Sequence, residues 1–312
     1  MKQFDAISTR AALPFPALIA AIERMFVSGC EVPPRHVHKI GGEQGTVLIM
    51  PAWYGDYMGI KTVNIFPENA ERGLPGLFST YVLYSAATGQ PLAMIDGDEI
   101  TSRRTAAASA LAARYLARPA ARRLLVVGSG RVARLLPEAY RAVLPIDEIT
   151  VWSRNCAAAT RMAAQLEADG CSVRASAALE EAVRQADVVS CATLATAPVI
   201  HGAWLQPGSH LDLIGGFTPQ MREADDDCFK GSALYVDTVE ALQKAGDLLG
   251  PMARGVFAAE DVAGTLEALC RAQAPGRQSD QARTVFKSVG TALEDLAAAI
   301  LVYESARDSP SN

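Results

Sequence analysis

Gly128-Ser129-Gly130-Arg131-Val132-Ala133 follow directly on the apolar run Leu124 to Val127. Two glycines and an alanine at this spacing let a strand turn tightly, let backbone approach a pyrophosphate, and let the next helix pack close. The chemistry such a turn serves is dinucleotide binding at a helix N-terminus. Three small residues are common in a chain this rich in glycine and alanine, so the pattern needs context. A second strand-like run, Glu148 to Trp152, supplies it by ending in Ser153-Arg154-Asn155, roughly 20 residues past Gly130, where the ribose-reading residue of such folds belongs. A carboxylate there would repel a 2′-phosphate, whereas Ser153 can hydrogen-bond one and Arg154 can pair with its charge. The cofactor reading is NADP(H) over NAD(H), with NAD(H) as the open alternative and Arg154 as a solvated loop residue the plainer one.

Lys61 is the second residue with chemistry to offer. It lies in GIKTVNIF, an apolar strand-like stretch, and an ammonium is costly to bury there without a partner. Strand alternation could equally turn it to solvent. His36 and His38 form an H-x-H pair, but no third ligand stands at a metal-site spacing, so surface or packed histidines and no metal are expected. A G-x-S-x-G elbow and a Cys near a His are both missing, which disfavours covalent acyl transfer.

The elements that must position these residues follow from pattern. A chain of 312 residues with 50% hydrophobic and 20% charged residues suggests a soluble globular protein of two domains, and a net charge of -5 argues against a nucleic-acid partner. The polar N-terminus does not read as an export leader, and no apolar run of about 18 residues exists to span a membrane. Six scattered cysteines without a C-x-x-C pair read as reduced thiols; the expectation is a cytoplasmic protein. A helix is expected over Leu13 to Val27. Strands are expected at His36 to Ile40, Thr46 to Met50, Tyr57 to Phe66, Thr80 to Ser85 and Pro91 to Asp96, forming a mixed sheet. An alanine-rich helix runs from about Thr105 to Leu116. Strands at Leu124 to Val127, Glu148 to Trp152, Val188 to Ala192, Ser209 to Ile214 and Ala233 to Val236 alternate with helices, which predicts a parallel doubly wound sheet. Thr284 to Ser305 reads as a final helix, and the tail beyond Arg307 as disordered. The fold class is therefore α/β, a Rossmann doubly wound sheet inserted in a second, α+β domain.

The chain resembles the ornithine cyclodeaminase and μ-crystallin family along essentially its whole length. The carriers are Met50-Pro51-Ala52, Gly59-Ile60-Lys61-Thr62-Val63, Thr88-Gly89-Gln90-Pro91-Leu92-Ala93, Arg104-Thr105-Ala106-Ala107, the glycine turn, and Val285-Phe286-Lys287-Ser288-Val289-Gly290. The resemblance implies a discontinuous substrate and dimerisation domain, residues 1–118 with 288–312, around a nucleotide-binding domain of residues 119–287. It also implies a homodimer formed through the mixed sheet. Arg35, Lys61 and Arg104 match the family's carboxylate pocket, with Met50 beside them and Lys61 as the candidate catalytic residue. Gly128 to Ala133, Ser153, Arg154, Asn155, Thr193, Lys287, Ser288 and Val289 are the implied nucleotide-binding positions.

One departure narrows the activity. In ornithine cyclodeaminases an aspartate stands where this chain has Phe217, within Leu213-Ile214-Gly215-Gly216-Phe217-Thr218. Phenylalanine can neither take a proton nor hold an ammonium. Asp212 is near in sequence but is expected to point elsewhere by register. The resemblance is therefore to the family's reductases. It implies NAD(P)H-dependent reduction of a small cyclic ketimine carboxylate, Δ1-pyrroline-2-carboxylate or Δ1-piperideine-2-carboxylate, to L-proline or L-pipecolate. Ornithine cyclodeamination, reductive amination of the alanine dehydrogenase type and a non-catalytic nucleotide binder stay open beside it.

Overall fold

The computed structural model describes residues 1–42, 44–168 and 172–308, so the disorder expected beyond Arg307 falls outside them from residue 309 onward. The chain divides into two compact units, Met1–Arg104 with Thr291–Asn312, and Thr105–Gly290.

The first unit runs β1 (Lys2–Phe4), α1 (Ala6–Ala11), α2 (Phe15–Ser28), β2 (His36–Ile40), β3 (Gly45–Tyr54), β4 (Tyr57–Ile65), β5 (Leu77–Ser85) and β6 (Pro91–Asp96) into the start of α3 (Gly97–Leu116). Its sheet has the order β1-β6-β5-β4-β3-β2. The pairs are antiparallel except β1 with β6, which makes the sheet mixed. Register gives the sheet two unlike faces. Met50, Lys61, Tyr81 and Ile95 are successive partners across four strands, and all are buried. The next row, Pro51, Ile60, Val82 and Met94, points the other way by the two-residue period and stays partly exposed. The C-terminal helix, Ala292–Asp308, packs on β3, β4 and β5 and against α2.

α3 starts eight residues before the expected Thr105, because Asp96 accepts a hydrogen bond from the Glu99 N–H at 2.8 Å. Asp98 and Glu99 also sit in its first turn, where acids complement the helix dipole.

The second unit continues with β7 (Arg123–Val127), α4 (Leu136–Arg141), β8 (Glu148–Trp152), α5 (Cys156–Ala168), β9 (Val173–Ala175), α6 (Leu179–Gln185), β10 (Val188–Cys191), β11 (His210–Leu213), β12 (Ser232–Val236), α7 (Ala241–Lys244), α8 (Gly246–Ala253), β13 (Gly264–Thr265), α9 (Leu266–Cys270) and β14 (Arg283–Lys287). The strands pair in parallel in the order β13-β12-β14-β11-β10-β7-β8-β9. The order reverses between β7 and β10, and this switch point is where open α/β sheets bind ligands. β10 and β11 are buried at every position, as strands covered on both faces require.

The helix expected over Thr284 to Ser305 is corrected in its first part. Arg283–Lys287 is a central strand between β11 and β12, and the helix, α10, begins only at Ala292. Thr284, Val285 and Phe286 are β-branched or aromatic and buried on both faces, and Gly290 at φ 80° turns the chain before the alanine-rich helix starts.

Candidate functional site

In the second unit the glycine turn sits at the carboxyl end of β7. Gly128 has φ 128°, its N–H donates to the Trp152 carbonyl at 2.8 Å, and a Cβ there would lie 2.5 Å from the Ala192 carbonyl oxygen. No other residue fits that conformation and that gap. Gly130 differs, since a Cβ built on it meets no protein atom within 4 Å. Its lack of a side chain is not required by packing, which suits close approach by a ligand's phosphates. The chain then passes Arg131 and Val132 into a 3-10 turn at Ala133–Leu135, with Ala133 fully buried, before α4.

Ser129 and Ser153 stand hydroxyl to hydroxyl at 3.1 Å, joining the turn to the end of β8. The Asn155 carboxamide accepts from the Ala158 N–H at 3.1 Å and so caps α5, while Arg154 is exposed beside it. These positions can hold a nucleotide's pyrophosphate and the substituent on its adenosine ribose.

At the carboxyl ends of β10, β11 and β14 lies a buried cluster around Thr193 and Lys287 whose acids, Glu223 and Asp247, sequence reasoning missed. Thr193 donates twice to Glu223, from backbone and hydroxyl, each at 2.7 Å. Lys287 meets Asp247 at 3.2 Å, and neither is exposed. The Lys287 ammonium is thus directed at Asp247 within the fold, while Ser288 and Val289 continue the strand into a loop whose Val289 N–H donates to Asp237 at 2.7 Å. Burial pushes the Glu223 carboxyl up to about 7, against the opposing pull of Lys287. Asp212 is fully buried and accepts from Ser109, Tyr140 and Ser190 at 3.2, 2.8 and 2.5 Å, and burial raises it to about 6 despite those hydroxyls. Phe217 is 44% exposed in the loop past β11.

In the first unit, Lys61 is 1% exposed and its Nζ lies 2.7 Å from Asp295 Oδ2. Arg104, 7% exposed, spans both acids of α10, with Nε 2.9 Å from Asp295 Oδ1 and a terminal nitrogen 2.7 Å from Glu294. Burial lowers the Lys61 ammonium to about 8, with Asp295 opposing. Burial alone would raise Asp295, yet Lys61 and Arg104 hold it below the ordinary carboxylate range. An ammonium has three donors, and Asp295 is the carboxylate that meets it, so donor capacity is left for an anionic ligand. Met50 is the cross-strand neighbour of Lys61, and Arg35 lies partly buried just before β2, whose first residue pairs with Ile49. Tyr81, the other neighbour of Lys61, has a buried hydroxyl with no hydrogen-bond partner among the described residues. His36 and His38 stack on the exposed edge strand, ring centroids 6.5 Å apart.

The sequence signal for Glu294 and Asp295 was present but unread. Two acids opening an alanine-rich helix that is apolar on all sides must be buried, and buried carboxylates need cations.

The chain matches the ornithine cyclodeaminase/mu-crystallin family over residues 6–310. It is 44% identical over 260 residues to the Δ1-pyrroline-2-carboxylate reductase of Paracoccus denitrificans, covering 82% of each chain. It is 34% identical over 297 residues to the ketimine reductase mu-crystallin of Rattus norvegicus, covering 94% of this chain and 90% of the relative. A solved structure, the Δ1-pyrroline-2-carboxylate reductase of Thermococcus litoralis in complex with NADH and L-proline, superposes with a TM-score of 0.94 at 31% identity, covering 99% of this chain and 98% of that one.

Proposed function

The chain belongs to the ornithine cyclodeaminase/mu-crystallin family, and from that premise we propose that it is an NAD(P)H-dependent oxidoreductase that reduces a cyclic ketimine carboxylate, Δ1-pyrroline-2-carboxylate or its six-membered homologue, to the cyclic secondary amino acid, L-proline or L-pipecolate. The observation that carries the reading is the buried pair Lys61 and Arg104 sharing Asp295. Two cations fixed on one carboxylate are preorganised, so a substrate carboxylate meets them with little rearrangement. A guanidinium adds a planar fork and an ammonium a point charge, and Arg35 adds a third cation.

The residues at the β7 turn fit a dinucleotide: Gly130 leaves open space where phosphates would approach, and Ser129, Ser153 and Arg154 line the way to the adenosine ribose. When bound, the reduced nicotinamide supplies a hydride. Lys61 holds the substrate carboxylate and, with its ammonium lowered by burial to about 8, can share a proton with the imine nitrogen, which keeps that nitrogen cationic and the carbon electrophilic. Arg104 and Arg35 orient the ring, and Asp295 keeps both buried cations in place. Phe217 supports reduction over cyclodeamination, because no carboxylate stands there to handle a free amine. Arg154 supports NADP(H) over NAD(H). A homodimer through the outer face of the mixed sheet is part of the same reading, supported by the apolar row Ile60, Val82 and Met94 that the unit leaves partly exposed.

The test is isotopic. NADPH deuterated at its transferable position, incubated with the protein and Δ1-pyrroline-2-carboxylate, should yield L-proline carrying deuterium at the α carbon. Unlabelled product, or none, would overturn the reading.

A further inference from the structure

Glu223 lies between β11 and β12, wholly buried. Its Oε1 accepts from the Thr193 N–H and hydroxyl, both at 2.7 Å, and its Oε2 accepts from the Gly215 N–H at 2.6 Å. Thr193 stands two residues past the end of β10, Gly215 two past the end of β11, and these strands are neighbours in register, Cys191 opposite Leu213. One carboxylate therefore cinches the loops at the carboxyl ends of two adjacent strands. The approach is close, since a Cβ on Gly215 would meet the Glu223 carboxylate at 2.5 Å.

Glu223 is itself held from behind. Its N–H donates to Asp247 Oδ1 at 2.7 Å, its carbonyl accepts from Val199 and Ile200 at 2.8 and 2.9 Å, and Asp247 is held in turn by Lys287. A buried acid that accepts three bonds from two loops, and is braced by an ion pair, costs more desolvation than packing alone would justify. Such an arrangement fixes a geometry.

Dinucleotides lie across the carboxyl ends of the strands at the switch point. The turn after β7 takes the pyrophosphate and the end of β8 the adenosine ribose, so the other half of the nucleotide extends over β10 and β11. We propose that Glu223 is a positioning residue for the nicotinamide half of the nucleotide, setting the Thr193 and Gly215 loops that receive it while leaving the adenosine half to the glycine turn. The proposal rests on the nucleotide reading above.

Glu223→Gln tests it. The carboxamide keeps an acceptor for Thr193 but turns an N–H against the Gly215 N–H, forcing the loops apart. Calorimetric titration compares NADPH with 2′-phospho-ADP-ribose, and NADH with ADP-ribose, on the unsubstituted protein and the variant. The variant should bind the whole nucleotide about 10- to 100-fold more weakly, the scale of one charge-assisted hydrogen bond, while its affinity for the fragment changes by less than about twofold. Equal losses for nucleotide and fragment, as a merely structural role would give, or no loss for either, would overturn the proposal and leave the nucleotide reading standing. An unsubstituted protein that binds neither would overturn the nucleotide reading itself. Should Glu223→Gln fail to fold, Thr193→Val removes the hydroxyl bond alone, and the same selectivity for the whole nucleotide is expected on a smaller scale.

Discussion

Lys61 shows how far one residue's environment can shift its chemistry. An ordinary lysine is fully charged at neutral pH, but burial brings this one to about 8. Its ammonium form is present below that value and lost above it. The rate constant kcat/KM for the imine should therefore stay level below about pH 8 and fall as pH rises through it. Asp295→Asn removes the anion that favours the ammonium, so that limb should move to lower pH; a limb that stays put would belong to the substrate and not to Lys61. The same substitution leaves two buried cations short of a partner and should cost roughly 3–5 kcal/mol in denaturant unfolding. A change within experimental error would mean that the pair does not form. Arg154→Ala should weaken NADPH binding by about 10- to 100-fold and leave NADH nearly unaffected, and equal losses in titration would sink the cofactor preference. At this scale the sequence spoke more plainly about cations than about their partners. Lys61 stood out because lysine is out of place in an apolar strand. Glu294 and Asp295 were legible only through the all-round apolar character of the helix they open, and Glu223 and Asp247 not at all, because an acid in a loop or a short helix is ordinary until its burial is known.

Elements were legible where pattern and propensity agreed. The apolar run of β7 and its glycine turn, the strand β8 ending at Ser153, and the hairpins of the mixed sheet all carry strong local signals. β14 did not, because Thr284 to Lys287 is too short for periodicity to act on and runs within a few residues of a long alanine-rich helix. Its placement between β11 and β12 is a long-range fact that no local window contains. The early start of α3 has the opposite cause, a capping aspartate three residues ahead of Glu99 that the alanine content overshadowed. The glycine turn offers the sharpest test at this scale. Gly128→Ala combines φ 128° with a Cβ driven at the Ala192 carbonyl, so it should lose about 1–3 kcal/mol of stability and most nucleotide affinity. Gly130→Ala meets no protein atom, and should lose nucleotide affinity while unfolding at the same denaturant concentration as the unsubstituted protein. If both variants behaved alike, the assignment of Gly130 to ligand approach would fall.

For the whole molecule, no helix among the described residues is long and apolar enough to cross a membrane, and the proposed homodimer rests on the partly exposed apolar row of the mixed sheet's outer face. Ile60 lies mid-row on that face, between Pro51 and Val82. Ile60→Asp should convert a dimer to a monomer in light scattering, and an unchanged mass would place the interface elsewhere. The reaction itself is tested by a parallel assay: NADPH oxidation with Δ1-pyrroline-2-carboxylate, beside ammonia release from L-ornithine with NAD. Imine-dependent oxidation without ammonia release is the predicted result. Ammonia release from ornithine, with no imine-dependent oxidation, would contradict it and would mean that a carboxylate other than one at Phe217 handles the substrate amine.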